Sequence, residues 1–407
     1  MDKKWKTGDW FVSAWDYEDK IMSDLKLPGR IKFHDATLRD GEQQAGLVLR
    51  KDEKIRIAEK LAEVGVDRIE AGMPAVTKED EMAIKDIVKR NLGPEIFVFS
   101  RCVIDDVKRA LECGVDGIII EIPSSKHIIE KAYGWPVEKA MEMSIKATRF
   151  AKENGLYTVF FPVDMTRAEL GWFFKLIEKV STEGHMDALG IVDTMGVLSP
   201  HATSFLVKEI RKKINKPLEA HFHNDFNLAA ANTVIAVTEG VEVIHSSISG
   251  FGERAGMAAY EDVAMILKTM YGASINLDFS KLYETSKLLQ EILGIKLPDN
   301  RPIVGDGIFD VESGIVTVWM DRLIGTDDVL EIFPFHWNLV GHKEPRVVLG
   351  KHSGTTSIEV WLKKLGLKAN GQQINEILEE VKQKACVQKR LVTESDFKEI
   401  ISKYITT

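Results

Sequence analysis

Apolar residues recur along the chain in two alternating rhythms. Short runs of adjacent apolar side chains, such as Ile118-Ile119-Ile120, predict strands buried on both faces. Between them lie segments with the 3.6-residue spacing of amphipathic helices. Strands are expected at 31–37, 67–73, 96–101, 117–123, 157–164, 188–194, 218–225 and 242–249, and helices at 51–64, 79–90, 103–113, 137–154, 168–182, 200–214, 229–239 and 260–270. Buried parallel strands covered by helices, repeating at roughly thirty residues per unit, predict a closed α/β architecture, the (β/α)8 TIM barrel. A doubly wound open sheet is the alternative topology. Residues 1–29 read as an N-terminal arm carrying Trp5, Trp10, Phe11 and Trp15, and 30–275 as the barrel. A linker subdomain is expected at 276–335, with a helix at 281–289 and loop-rich chain from 302. A helical C-terminal subdomain follows at 336–407, its periodic part running over 357–404.

Composition narrows the function classes. At 407 residues the chain exceeds what one core usually supports. Its net charge of −8 comes from interspersed acids and bases, without a basic block or tail, so no nucleic acid and no membrane is expected as a partner. Cys102, Cys113 and Cys386 are far apart and form no Cys-x-x-Cys, which excludes a disulfide framework and a cysteine metal knuckle and suits a cytoplasmic location. The Trp-rich arm suggests a packing surface, and a homodimer is the default expectation.

A TIM barrel carries its chemistry at the carboxyl ends of its strands, and there this chain is densely polar. His221 and His223 stand two apart on the seventh strand, so alternation turns both rings to one face. That face adjoins the first strand across the eighth, within reach of Asp40. Two imidazoles and a carboxylate form a ligand set with open positions, suited to a divalent metal such as Mn, Mg or Zn, or Co or Fe. A pair of hydrogen-bonded core histidines is the plainer alternative. Such an ion would chelate and polarise a 2-oxo acid. Arg39 would then stabilise the alkoxide formed on carbon attack, unless it serves only as a salt bridge of the mouth. Thr194 would hold the substrate carboxylate. Gln43, Glu70, Arg101 and His127 complete the expected substrate pocket, with Met73, Ser124 and Phe161 nearby.

Five motifs carry a family resemblance. Asp35-x-Thr37-Leu38-Arg39-Asp40-Gly41-Glu42-Gln43, Ile69-Glu70-Ala71-Gly72-Met73-Pro74, Asp193-Thr194-x-Gly196, His221-x-His223-Asn224-Asp225 and Gly252-Glu253-Arg254-Ala255-Gly256 resemble those of the isopropylmalate, homocitrate and citramalate synthases, metal-dependent carbon-carbon ligases and lyases. The resemblance extends past the barrel through Pro302-Ile303-Val304-Gly305 and Gly350-Lys351-His352-Ser353-Gly354. It implies metal binding by Asp40, His221 and His223, and action on the oxo acid by Arg39 and Thr194. The implied reaction is a Claisen condensation of acetyl-CoA, or another acyl-CoA, with a 2-oxo acid, followed by thioester hydrolysis. Gly252, Glu253 and Arg254, following the eighth strand, are placed to meet a CoA phosphate; a tight turn is the alternative.

The chain departs from the family pattern where the carbon nucleophile is made. Val163 stands where a glutamate is usual, Met257 where asparagine is, and Asn227 where glycine is. Ser313-Gly314-Ile315-Val316 lacks the histidine of the usual Ser-Gly-Ile-His. His352, His127 or a metal-bound hydroxide are the candidate replacements for the base, His352 having the alternative of ordering its Gly-rich loop. Two further functions remain open at this level: a metal-dependent lyase or aldolase cleaving a hydroxy acid or hydroxyacyl thioester, and a non-catalytic barrel binding a small effector.

Overall fold

The computed structural model describes residues 3–405. It contains the expected barrel: β1 (Lys32–Asp35), β2 (Arg68–Glu70), β3 (Glu95–Arg101), β4 (Gly117–Pro123), β5 (Tyr157–Val163), β6 (Ala188–Asp193), β7 (Leu218–Phe222) and β8 (Val243–Ser246). They close in that order, and the ring is sealed by parallel pairing of β1 with β8, where Asp35 faces Ser246. A helix follows each strand, from Lys51–Val64 to Tyr260–Tyr271. Helix Lys78–Arg90 shows why the local sequence folds so. Thr77 accepts the Asp80 amide, three acids occupy the first turn and Lys89 and Arg90 the last, and Ala83, Ile84 and Ile87 face the strands.

The strands are shorter than their apolar runs. β2 stops at Glu70 because Gly72 turns the chain at a φ of +135. β7 stops at Phe222, leaving His223 in an isolated bridge to Met257.

The barrel interior combines aromatic packing with buried charge. A Cβ on Gly117 would meet the Phe97 ring at 2.3 Å, so this strand start accepts no larger residue. Arg68 lies over Phe97 and Tyr157 and is paired with Glu219 at 2.8 Å, both fully enclosed, while its Nε reaches Glu95 at 3.0 Å. Burial alone would raise the Glu219 carboxyl, but the His245 hydrogen bond and the Arg68 charge bring it down to about 2.

The chain divides into two units, Trp15–Lys296 and the described residues of Met1–Ala14 with Leu297–Thr407. In the second unit the start of the arm packs on its own chain. Phe11 donates its amide to the Pro334 carbonyl at 2.9 Å, and Trp10 bridges Phe335. Two short parallel strands, β9 (Asp310–Val311) and β10 (Arg346–Val347), lie with an apolar cluster around Phe309, Phe333 and Trp337. The stretch expected to be loop-rich contains a ten-residue helix, Gly314–Leu323. Its β-branched residues Ile315, Val316, Thr317 and Val318 weaken the helical signal, and burial of Thr317 and Met320 supplies what propensity lacks. The helices Thr355–Lys364, Gly371–Gln388 and Glu394–Ile401 pack a second core around Leu349, Ile377 and Phe397.

Removing the buried cation of the barrel floor tests this packing. Arg68→Met leaves Glu219 without its partner and is expected to cost about 3–5 kcal/mol in urea unfolding, recovered in part by adding Glu219→Leu. A loss below 1 kcal/mol would show that the pair contributes little.

Candidate active site

The turn after β1 sets the geometry of the mouth. Asp35 Oδ1 accepts the Thr37 amide at 2.8 Å and Gly41 donates to the Ala36 carbonyl at 3.1 Å, so Arg39 and Asp40 are presented from a tight, hydrogen-bonded bend. Asp40 Oδ2 lies 3.4 Å from His221 Nε2 and 3.6 Å from His223 Nε2, and the two Nε2 atoms are 3.3 Å apart. All three side chains are buried.

This donor set fits a divalent cation. His223 Nδ1 sits 3.1 Å from the Gly256 carbonyl. With a proton on that nitrogen, the Nε2 lone pair and the Asp40 carboxylate face each other as two acceptors that a shared cation would bridge. Burial pushes the His221 imidazole down to about 3 against the pull of Asp40, so the ring is neutral at neutral pH. The same burial would raise the Asp40 carboxyl, but Arg39 and the two imidazoles hold it well below the usual range.

A second convergence of His34, Glu219 and His245 lies deeper in the barrel. The His34 and His245 rings stack at 4.2 Å with an interplanar angle of 10°, so their in-plane lone pairs run side by side instead of meeting at one ion. Arg68 already neutralises Glu219 there. That cluster is a buried polar layer.

Arg39 is gripped on every side. Its Nε and Nη2 donate to the two Glu70 oxygens at 2.7 and 3.2 Å, Nη1 donates to Asp40 at 2.8 Å and to Gln43 at 2.9 Å, and the group lies 4.2 Å over the Phe99 ring. Glu70, expected from sequence to bind substrate, is instead wholly enclosed with both oxygens on Arg39, which fits it to position the guanidinium. Beside Arg39 opens a pocket of about 520 Å3 lined by Leu38, Gln43, Met73, Phe99, Arg101 and Glu121. Arg101 stands at its rim, 56% exposed and held by both oxygens of Asp106.

Glu121 escaped the sequence reading because it interrupts an isoleucine run without any motif. Burial raises its carboxyl above the ordinary value, partly offset by Arg39 and Arg101. On the opposite wall Thr194 Oγ1 accepts the Asp164 amide at 2.7 Å. His127 meets the Asp164 carboxylate at 3.1 Å, beside Ser125.

The turn after β8 buttresses the cluster. Glu253 donates its amide to Asp40 Oδ1 at 3.0 Å. A Cβ on Gly252 would fall 2.7 Å from that oxygen, and one on Gly256 would overlap the Gly250 carbonyl. Arg254 binds Asp225 at 2.8 and 3.0 Å and the Thr194 carbonyl at 2.5 Å. The described contacts of Gly252, Glu253 and Arg254 thus run to Asp40, Asp225, Thr194 and within the turn itself. His352 belongs to the second unit, exposed on its loop, with its amide donated to Glu312 at 2.9 Å.

Comparison with known proteins adds independent findings. Residues 30–289 match the HMGL-like family and residues 303–389 the homocitrate synthase post-HMGL domain-like family. The chain is 40% identical over 373 residues to a putative (R)-citramalate synthase of Archaeoglobus fulgidus, covering 91% of this chain and 75% of the relative. It is 38% identical to the 2-isopropylmalate synthase of Methanocaldococcus jannaschii, covering 94% and 73%. A homocitrate synthase of Methanothermobacter thermautotrophicus is 34% identical, covering 92% and 93%. Among solved structures, the HMG-CoA lyase of Bacillus subtilis superposes with a TM-score of 0.60 at 21% identity, over 67% of this chain and 96% of that one, a likeness of fold alone.

The contact of Gly252 with Asp40 yields a direct test. Gly252→Ala is expected to weaken Mn²⁺ binding by about 10–100-fold in calorimetric titration while leaving the thermal melt of the metal-free protein within a few degrees. Unchanged affinity would mean that the turn does not hold the ligand.

Proposed function

The chain belongs to the isopropylmalate, homocitrate and citramalate synthase family, and we propose how its barrel mouth carries out the family's condensation of acetyl-CoA with a 2-oxo acid. It is an acyl-CoA:2-oxo acid acyltransferase. The observation that supports our assignment of roles is the convergence of Asp40, His221 and His223, whose facing atoms lie within 3.6 Å of one another, beside a guanidinium that is itself locked in place.

A divalent ion held by Asp40, His221 and His223 would supply Lewis acidity to the ketone of the oxo acid. The nitrogen and carboxylate donors accept Mn, Mg, Zn, Co or Fe. Arg39 lies against Asp40 and faces the charge that develops on the ketone oxygen as carbon attacks. Because Glu70, Gln43 and Phe99 fix its fork before substrate arrives, little reorganisation is needed in the transition state. Thr194, whose hydroxyl accepts the Asp164 amide and keeps its own proton to donate, binds the substrate carboxylate. The side chain of the oxo acid extends into the pocket of Leu38, Met73 and Phe99, with Gln43, Arg101 and Glu121 selecting among side chains. The turn of Gly252, Glu253 and Arg254 follows the eighth strand, the side from which the phosphates of CoA would approach, with the Glu253 amide itself donated to Asp40. Pairs of such barrels as homodimers are our default for the assembly.

Thiol release from acetyl-CoA with Mn²⁺ and a panel of 2-oxo acids tests this reading. Release is expected with at least one oxo acid, abolished by chelator and by Asp40→Asn, and lowered about 10²–10³-fold in kcat by Arg39→Gln. No thiol release with any oxo acid would overturn the condensing role.

A further inference from the structure

The glutamate and histidine that the family resemblance implies for making the carbon nucleophile are valines in this chain, Val163 and Val316. Val163 ends β5 without a carboxyl, and Val316 packs on the apolar cluster of Phe309, Phe333 and Trp337. One residue past Val163 the chain does something unusual. Asp164 adopts the left-handed conformation, φ 62 and ψ 27, uncommon outside glycine though aspartate takes it more readily than most residues. Its side chain is fully buried, and three groups converge on it: Arg167 Nε at 2.6 Å, Ser125 Oγ at 2.5 Å and His127 Nε2 at 3.1 Å. Its backbone amide is donated to Thr194. Strain of this kind persists only where the surroundings enforce it.

We propose that His127 is the base that forms the nucleophile, with Asp164 as its positioning residue; this rests on the condensing function above. His127 Nε2 lies 3.1 Å from Asp164 Oδ2 and 3.4 Å from Ser125 Oγ, so a proton on Nε2 faces the carboxylate and Nδ1 is left as the basic nitrogen. Among the described residues Nδ1 makes no hydrogen bond, and the His127 side chain is 42% exposed, so an acyl thioester can reach it. The bond from the Asp164 amide to Thr194 ties the base to the residue that binds the oxo acid.

In the step proposed, Nδ1 takes a proton from the carbon alpha to the thioester. The C–H pair becomes the enolate double bond, and the carbonyl π pair moves to the thioester oxygen. The enolate carbon then bonds to the ketone carbon, whose π pair goes to the ketone oxygen beside Arg39. That alkoxide is protonated by the imidazolium, which restores His127. Water hydrolyses the thioester, releasing the CoA thiol and a new carboxylate. Asp164 balances the imidazolium charge while it lasts, the role a buried carboxylate plays beside any catalytic imidazole.

Two assays with the full chain and Mn²⁺ decide the matter: turnover by thiol release, and loss of deuterium from [²H3]acetyl-CoA in the presence of the oxo acid. His127→Ala is expected to lower kcat and exchange at least a hundredfold. The KM for the oxo acid should stay within about threefold, and added imidazole should restore exchange. Asp164→Asn should lower kcat at least tenfold, again with KM for the oxo acid little changed, a split that a merely structural loss would not give. Oxo-acid binding by calorimetry confirms that each variant is folded. The proposal is overturned if His127→Ala keeps exchange, or if exchange disappears instead in His352→Ala or Glu121→Gln. A wild-type protein that performs neither exchange nor thiol release overturns the condensing function itself. An active wild type with an unimpaired His127→Ala overturns only the base.

Discussion

One carboxylate, Asp40, connects everything at the barrel mouth. Its Oδ2 faces both imidazoles of the seventh strand and takes a hydrogen bond from Arg39, while Oδ1 takes the Glu253 amide from the turn after the eighth strand. A side chain satisfied from three directions has no freedom to swing out, so its separation from His221 and His223 is set by the closure of β1 on β8. Closing the barrel thereby also preorganises the metal site. The glycines at 252 and 256 follow from the same constraint, since the turn must approach Asp40 more closely than any Cβ allows.

Charge is arranged inside this barrel in alternating layers. At the floor Arg68 answers Glu219, and toward the mouth Arg39 answers Glu70 and Asp40. His34 and His245 lie between, stacked, with burial and the neighbouring His245 pushing His34 well below its usual pKa. The stacked rings separate the two ion pairs of the interior. The two histidine clusters differ in ring geometry: at the mouth the Nε2 atoms of His221 and His223 lie 3.3 Å apart with Asp40 Oδ2 within 3.6 Å of both, whereas the stacked rings of His34 and His245 direct their lone pairs side by side.

The barrel was legible because its signal is repeated eight times, and errors at strand ends do not change the count. Asp40 with His221 and His223 was legible because alternation on a known strand and position in a closed ring determine which side chains meet. Other features left no trace of this kind. Glu121 is a single acid in an isoleucine run, and only the pairing of β4 with β5, Glu121 opposite Phe161, brings it to the pocket. The helix Gly314–Leu323 has a β-branched sequence and is held by packing. Glu70, read as a substrate contact from its motif, is turned wholly to Arg39, because only three-dimensional proximity shows which of two partners a carboxylate takes.

The departures from the family pattern take on one meaning when placed in the fold. Removal of a carboxyl at 163 leaves β5 ending in an apolar residue, directly before a strained aspartate that gathers a serine, an arginine and a histidine. Removal of an imidazole at 316 gives a side chain that packs against Phe309 and its neighbours, turning a polar position into core. Neither change disturbs Arg39, Thr194 or the metal ligands, so activation of the oxo acid is physically separable from formation of the nucleophile. The first depends on strands one, two, six and seven, whose closure fixes it rigidly. The second depends on the loops after strands four and five, where one residue in a left-handed conformation redirects a carboxylate. The electrophile's residues thus sit on paired strands, while Asp164, Ser125 and His127 gather on the loops beside them.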